Sequence, residues 1–343
     1  MGNNLNKIRI GQIGYGYWGI NIARNISQNP FCVLTAICDT NTNNLFLAKQ
    51  TYKNTKIYDS AEKLFLSNEI DAIIISTPAS THFQLGKLAL DNGKHLLITK
   101  PLTTSLETSL YLTRLAEQNN KILLVDHTFL YSPAISKLKT FIESGEIGKP
   151  LYYDSMRTGL GIFKTDVNVI FDLAIHDIAI VDFLFDEIPI KVNAFAFDCI
   201  KNEQSCLAYI NFFYASGLHV HIAANWLSPI KQRMVVVVGE NKMATWDDSI
   251  ADNKLSFYDT GVKFSKTTSI NGRASLDYKQ SEPYHIKLSS IEALNLEIVD
   301  FIDCIYGLKK PTSNGQAACR VIGMADAAIL SAQNGGNTTN ILL

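Results

Sequence analysis

In the first third of the chain, short apolar runs alternate with segments whose apolar residues recur every three to four positions. Ile8, Ile10 and Ile13 suit a short buried strand, and Ile20, Ile22, Ala23 and Ile26 follow at helical spacing. Residues 33–38 predict a second strand, 45–51 a short helix and 56–58 a short strand. Ser60 is placed to cap a helix beginning at Ala61, with Leu64 and Leu66 facing inward. Residues 71–76 are an apolar run closed by Thr77-Pro78, as buried parallel strands read. A helix from Ser80-Thr81-His82 to a glycine stop at Gly93, a strand over 95–98, a helix over 105–119 and a strand over 122–125 complete the series. Strands alternating with helices predict an α/β domain with a doubly wound parallel sheet, and ligand at the carboxyl ends of its strands.

After residue 126 the rhythm changes. A helix over 132–143 ends at Gly145 and Gly148, a strand covers 151–157, and 171–184 is an apolar helix carrying Asp172, His176, Asp177 and Asp182. Strands are then predicted in quick succession over 191–197, 206–213, 218–226, 233–238, 243–246 and 254–258. Turns such as Ala215-Ser216-Gly217 make this a large, mostly antiparallel open sheet in an α+β domain. Residues 271–284 are polar and read as a mobile loop; helices over 286–306 and 315–333 close the chain. The expected division is a Rossmann domain over 1–126 and a substrate-binding and oligomerisation domain over 127–343, the last helices being free to pack back on the first domain.

Between the first strand and its helix stands Gly14-x-Gly16-x-x-Gly19. Gly14 permits a tight turn, Gly16 lets the backbone approach a pyrophosphate, and Gly19 lets helix and strand pack closely. The diphosphate is then met by free N–H groups at the helix start. Asp39 ends the second strand twenty residues beyond Gly19. A carboxylate there accepts hydrogen bonds from a ribose diol and repels a 2′-phosphate, which favours NAD over NADP.

The 343 residues suit two domains of ordinary size, and 47% hydrophobic against 18% charged describes a globular protein with large buried sheets. A net charge of −1 provides no basic field for nucleic acid or anionic lipid. The start, Met-Gly-Asn-Asn-Leu-Asn-Lys, has no apolar stretch and predicts no signal peptide; Asn6 stands where a myristoylation signal wants Ser or Thr. Apolar runs such as 70–75 and 235–238 are too short to span a bilayer. Six cysteines without a Cys-x-x-Cys pair predict reduced, mostly buried thiols in a cytoplasmic protein.

Several side chains have the means for chemistry. Lys100 follows a strand and precedes Pro101, at the strand end where a nicotinamide is expected; its cation suits a substrate hydroxyl or carbonyl. Asp172 and His176, four apart on one predicted helix, share a face, and a carboxylate that orients the ring makes His176 a competent base. Asp177 is the rival carboxylate, pointing about 100° away. No third ligand stands at metal spacing, so no metal is expected. His82, His127, His219 and His221 compete as bases. Of these, His82 follows the Thr77-Pro78 strand end and is expected to line the cofactor pocket, whereas His219 and His221 alternate within a strand.

Together, Gly14-Tyr-Gly-Tyr-Trp-Gly-Ile-Asn21, Ser76-Thr-Pro-Ala-Ser-Thr-His82, Gly93-Lys-His-Leu-Leu-Ile-Thr-Lys-Pro101 and Asp172-Leu-Ala-Ile-His176 resemble the glucose-fructose oxidoreductase / inositol dehydrogenase (Gfo/Idh/MocA) family over nearly the whole chain. The resemblance implies an NAD(P)-dependent sugar dehydrogenase in which the lysine of a Glu-Lys-Pro motif and an Asp-x-x-x-His motif meet at the nicotinamide. Lys100, Asp172 and His176 become the catalytic set, with Gly14, Gly16, Tyr17, Trp18, Gly19, Asp39, Thr77, Pro78, His82 and Lys100 on the cofactor side. Gly-Tyr-Trp-Gly with Asn21, His127-Thr-Phe-Leu-Tyr and Asp166-Val-Asn168 resemble the nucleotide-sugar branch, which includes UDP-N-acetylglucosaminuronate 3-dehydrogenases of surface-polysaccharide sugar biosynthesis. Arg157, Asp166 and Asn168 are then the substrate-side residues, and a homo-oligomer, dimer or tetramer, through the second sheet is implied. One departure stands out: Thr99 occupies the place of the family's usual Glu.

Overall fold

The computed structural model describes residues 6–161, 163–201, 203–268, 274–279 and 281–342. The chain divides into two compact units, Met1–Tyr131 with Ile291–Ile322, and Ser132–Ser290 with Gly323–Leu343.

The first unit opens β1 (Ile8–Ile13), α1 (Tyr17–Gln28), β2 (Cys32–Cys38), α2 (Thr42–Thr51), β3 (Lys56–Tyr58) and α3 (Glu62–Phe65). It continues β4 (Ala72–Ile75), α4 (His82–Asp91), β5 (His95–Thr99), α5 (Leu106–Gln118) and β6 (Leu123–Asp126). All neighbouring strands pair parallel, in the order β3-β2-β1-β4-β5-β6 of a doubly wound sheet. The runs are apolar throughout because both faces are covered. Ala72, Ile74, Leu97 and Leu124 enter one core with Ile22, Ala23 and Ile26 of α1. Ile73, Ile75, Leu96, Ile98 and Val125 enter the other with Ala89, Leu90 and Leu112 of α4 and α5. Ser105 caps α5 by accepting from the Thr108 N–H, whereas Ser60 caps nothing. Helix α3 is a single turn whose Leu64 N–H already meets the Ala61 carbonyl, so no side-chain cap is needed. Leu66 follows the end of that turn and is exposed, and Phe65 takes the inward place beside Leu64.

The second unit begins with α6 (Pro133–Glu143) and β7 (Pro150–Thr158). A π-helical turn over Ile170–Ala174 then leads directly into α7 (Ile175–Leu184), where the apolar periodicity predicts one regular helix. The strands that follow are β8 (Lys191–Phe197), β9 (Leu207–Phe213), β10 (His219–Asn225), β11 (Gln232–Gly239), β12 (Met243–Asp247) and β13 (Leu255–Tyr258). The stretch 271–284 expected as a loop carries structure: β15 (Ala274–Lys279) within it pairs antiparallel with β14 (Gly261–Thr268) before it, and β16 (Tyr284–His285) at its end pairs with β13. Ala274, Leu276 and Tyr278 do alternate with polar residues, a six-residue strand signal that its polar flanks outweighed; residues 271–273 and 280 of that stretch lie outside the described residues.

Helix α8 (Ala293–Ile305) starts later than residue 286 and returns to the first unit, adding Leu294, Ile298, Phe301 and Ile302 to the core that α1 faces. Arg24 of α1 holds Glu292 at its start through two bonds of 2.9 and 2.8 Å. In α9 (Gly315–Gln333) the residues up to Ile322 belong to the first unit and the rest to the second, and β17 (Thr339–Asn340) pairs with β8. The second sheet therefore runs β16-β13-β12-β11-β7-β10-β9-β8-β17, antiparallel except for the β7–β10 pair. One face is buried: Phe257 packs on Phe141 of α6, Tyr153 on Phe185, and the Ala194 N–H on Ser331 of α9. The other face leaves Met156, Phe195, Phe197, Tyr209 and Met234 exposed.

Candidate active site

In the first unit the site is built by the turn between β1 and α1. Gly14 has φ +92°, and its N–H donates to the Cys38 carbonyl at 2.8 Å. A Cβ on Gly14 would stand 2.1 Å from the Ser76 carbonyl oxygen, and one on Gly19 would stand 2.4 Å from the Gly14 carbonyl oxygen. A Cβ on Gly16 would meet nothing within 4 Å, so this is where the backbone is left bare for a ligand. Gly16 caps α1 without any side-chain bond, which leaves the helix's leading N–H groups turned to whatever binds there.

Asp39 closes the turn from the other side. Its Oδ2 accepts from the Tyr15 N–H at 2.6 Å and from Asn44 Nδ2 at 3.1 Å, while Oδ1 accepts from the Asn41 N–H at 2.7 Å. A cavity of about 870 Å³ opens here, lined by Gly14, Gly16, Asp39, Thr40, Thr77 and Pro78 among others. It sits where the strand order reverses between β1 and β4, at the carboxyl ends of the strands. Bare Gly16, the helix start and the Asp39 carboxylate fit a dinucleotide's diphosphate and ribose diol.

Of the remaining expected cofactor residues, Tyr17 is exposed at the head of α1, and Trp18 donates its indole N–H to Asp126 Oδ2 at 2.6 Å. His82 does not line the cavity. It is buried, with Nδ1 2.7 Å from the Pro101 carbonyl oxygen and Nε2 2.9 Å from that of Thr77. Its ring therefore ties the loop after β4 to the loop after β5, a role that a helix-start position does not announce.

Lys100 stands half-buried after β5, before a cis peptide bond to Pro101. Its charge acts on His127, which is buried and pushed down to about 3, first by burial and then by Lys100. His127 is thus neutral near pH 7 and cannot serve there as a base that cycles through its cation. Thr99 is in register with Asp126 on β6. Asp126 also accepts from the Thr128 N–H at 3.1 Å and from the Thr128 hydroxyl. Nearby Glu297 is held well above the usual carboxyl range by burial and then by the Asp126 charge.

In the second unit Asn168 starts the helical segment: its Oδ1 accepts from the Ile170 and Phe171 N–H groups at 3.0 and 3.1 Å. This engages as a cap a residue expected on the substrate side; Asp166, two residues earlier, is exposed. Asp172 lies in the π turn, mostly buried, and accepts from the Trp226 indole N–H at 3.0 Å, with Lys164 Nζ 3.7 Å from its other oxygen. His176, half-buried, follows in α7. Arg157 is not on a substrate surface. It is 2% exposed and forms a two-pronged pair with Asp177, Nε at 2.6 Å and Nη2 at 3.0 Å. The rival carboxylate is thereby engaged in the core. His219 and His221 stand on β10, His221 Nδ1 2.9 Å from Asn211 Oδ1.

Three residues escape sequence reasoning. Gln12, buried in β1, donates to the Gly14 and Gly19 carbonyls at 2.8 and 2.7 Å, bracing the glycine turn from beneath. Trp226 and Asp126 each follow or end a strand. A polar Gln inside an apolar strand was the available signal for the first; the other two depend on partners 54 and 108 residues away.

The profile of an oxidoreductase family described as NAD-binding Rossmann fold matches residues 8–127, and that of its C-terminal alpha/beta domain matches residues 139–340. A UDP-N-acetylglucosamine 3-dehydrogenase of Acidithiobacillus ferrooxidans is 27% identical over 260 residues, 75% of this chain and 77% of that enzyme. A scyllo-inositol 2-dehydrogenase (NAD(+)) of Bacillus subtilis is 29% identical over 184 residues, spanning only 52% of this chain and 54% of that enzyme. A crystal form of the Acidithiobacillus enzyme superposes with a TM-score of 0.80 at 22% identity, covering 96% of this chain and 99% of that one, which speaks to the fold. With both profiles matched across its two halves, the chain belongs to the Gfo/Idh/MocA family of oxidoreductases.

Proposed function

We propose that this oxidoreductase uses NAD to oxidise or reduce a secondary alcohol, the C3 hydroxyl, of a nucleotide-linked sugar in surface-polysaccharide sugar biosynthesis. The observation that carries the cofactor half is the Asp39 carboxylate on the rim of a cavity whose floor is bare at Gly16. A 2′-phosphate brought to that rim meets a negative charge, so NAD is preferred to NADP. The substrate half rests on the similarity to a UDP-N-acetylglucosamine 3-dehydrogenase over three quarters of both chains.

NAD, when bound, supplies the hydride acceptor. Lys100 orients the substrate oxygen and stabilises negative charge developing on it. His176 takes the hydroxyl proton, and Asp172, itself fixed by Trp226, supports the ring's charged form. Asp166 and the amide nitrogen of Asn168 stand by as substrate contacts. A second copy of the chain is proposed to cover the exposed face of the nine-stranded sheet, giving a dimer or tetramer in the cytoplasm.

The test is single-turnover formation of NADH absorbance at high protein concentration, with UDP-, dTDP- and GDP-linked hexoses and uronic acids beside free inositol and glucose. A signal confined to a nucleotide sugar and lost in Lys100→Ala supports the reading. A signal with inositol supports the second one, a polyol or simple-sugar dehydrogenase, which the scyllo-inositol enzyme's likeness favours. Silence with NAD still bound would point to a sensor of NAD and NADH, with Thr99 as the residue to restore to Glu.

A further inference from the structure

Only two of the six cysteines, Cys199 and Cys206, belong to the second unit, and they flank the loop that joins β8 to β9. The Cys199 N–H donates to Cys206 Sγ at 3.3 Å, which brings the two cysteines into contact. Cys206 Sγ also reaches the Phe197 carbonyl at 3.5 Å. Their exposure is unequal: Cys199 is open to solvent and Cys206 is buried.

The same loop holds the segment that carries Asp172. The Ser205 carbonyl accepts from the Val169 N–H at 2.9 Å, and the Cys206 carbonyl accepts from the Trp226 N–H at 2.9 Å. The Trp226 indole in turn donates to Asp172 at 3.0 Å. Cys206 is therefore connected to the Asp172 carboxylate through a single residue, by one backbone and one side-chain hydrogen bond.

We propose that Cys199 and Cys206 are a modification site, closing reversibly into an intramolecular disulfide that displaces Trp226 and with it Asp172. Its effect on turnover rests on the role given to Asp172 above. The oxidant is a low-molecular-weight disulfide of the glutathione class. The exposed Cys199 thiolate attacks one of its sulfurs, a mixed disulfide forms and one small thiolate leaves. The Cys206 thiolate then attacks Cys199 Sγ, the Cys199–Cys206 bond forms and the second small thiolate departs. Both protein thiols are oxidised, the small disulfide is reduced to two thiols, and the two protons end on those thiols. A bond of sulfur to sulfur replaces a looser contact, so the start of β9 must move toward Cys199, and its backbone bonds to Val169 and Trp226 move with it.

The chemistry has a pH signature. The Cys199 thiol is pushed up, first by its contact with Cys206 and then by burial and the Asp198 charge. Its thiolate fraction near neutrality is small, so closure is slow there and accelerates as pH rises.

The full-length protein would be equilibrated with mixtures of reduced and oxidised glutathione, then digested without reduction and followed by hydrogen–deuterium exchange and by NADH formation. The expected result is a peptide linked through Cys199 and Cys206, at least about threefold faster exchange at Val169 and Trp226, and a fall in kcat between about threefold and a hundredfold with NAD affinity unchanged. Cys199→Ser should keep the untreated kcat and lose the response. No Cys199–Cys206 link at the oxidised end of the series would overturn the proposal, as would a link that leaves exchange at Val169 and Trp226 unchanged. If link and exchange respond while no alcohol is turned over by the reduced protein, the site stands and the dehydrogenase reading falls.

Discussion

The glycine turn of the first unit and the Asp172 segment of the second unit are both proposed to present polar atoms to a ligand, but they are assembled differently. The turn is local: Gly14, Gly16 and Gly19 lie within six residues, and their bracing partners are Gln12 on β1 and Asp39 just after β2. The Asp172 segment is a composite. Its start is capped by Asn168, its carboxylate is held by Trp226 from another strand, and its backbone leans on Ser205. A site set by backbone shape is broken by adding a single methyl group. A site set by side-chain partners should instead be tuned in steps, because each partner contributes about one hydrogen bond.

The sharpest way to break this contrast is Gly14→Ala set beside Gly16→Ala. The first puts a Cβ 2.1 Å from a backbone oxygen at φ +92°, and no neighbour at that distance can yield. NAD affinity should fall at least about a hundredfold, with a lowered melting temperature. The second adds a methyl group to open space, so stability should hold to within about 0.5 kcal/mol while NAD affinity still drops. Calorimetric titration with NAD alongside thermal unfolding separates the two. Equal losses of stability would show that Gly16 is structural and not a ligand contact.

This asymmetry also explains how far the sequence could be read. The parallel sheet, the glycine fingerprint and Asp39 were legible because strand apolarity, helical spacing and glycine spacing are all short-range. His82 was misplaced in the pocket because a residue at a helix start looks the same whether it faces a cavity or ties two loops beneath it. Arg157 was placed on the substrate side by the resemblance to the nucleotide-sugar branch, whereas its guanidinium is held in the core. Only the fold brings Asp177, 20 residues on, into reach. The π turn was invisible because residues 170–184 are apolar on nearly every face, so a change of helical phase leaves no mark in the pattern.

Arg157→Met tests whether that buried pair is structural. Removing one partner leaves the Asp177 carboxylate uncompensated in the core, so stability should drop by about 3–5 kcal/mol in urea denaturation. Adding Asp177→Leu should restore most of it. If Arg157→Met instead changed only KM, the residue would belong to the substrate after all.

Acid should act next, and on the first unit. His127 is pushed down to about 3 and His95 to about 4, in each case by burial first. In the unfolded chain both titrate near 6.5, so between that pH and their folded values the unfolded state binds more protons and is favoured. Stability is full above about pH 6.5 and declines as pH falls, by on the order of a few kcal/mol in total. His127→Asn should flatten part of that decline; an unchanged profile would place the loss on other groups.

Trp226→Phe keeps the ring packed against Phe163 but removes the indole N–H that fixes Asp172. A fall in kcat of about tenfold, with NAD affinity unchanged, is expected for loss of one positioning hydrogen bond. An altered pH profile of kcat would mark the effect as passing through the Asp172–His176 pair, whereas lower stability with normal turnover would make Trp226 only a packing residue.

The smallest effect belongs to Asn168, where cap and substrate contact make different demands on one side chain. Its Oδ1 is taken by the Ile170 and Phe171 N–H groups, so as a cap it needs an acceptor and nothing more. Asn168→Asp supplies that acceptor and adds charge at a helix N-terminus, where charge is favourable; Asn168→Ala removes it and should cost about 1 kcal/mol. As a substrate contact it needs the amide's donor end, which aspartate lacks. If Asn168→Asp unfolds like the wild type and retains its KM, the residue is a cap alone. If stability is retained while KM rises about tenfold, the amide nitrogen is bonded to substrate, and one side chain both starts the π turn and reads the sugar beside it.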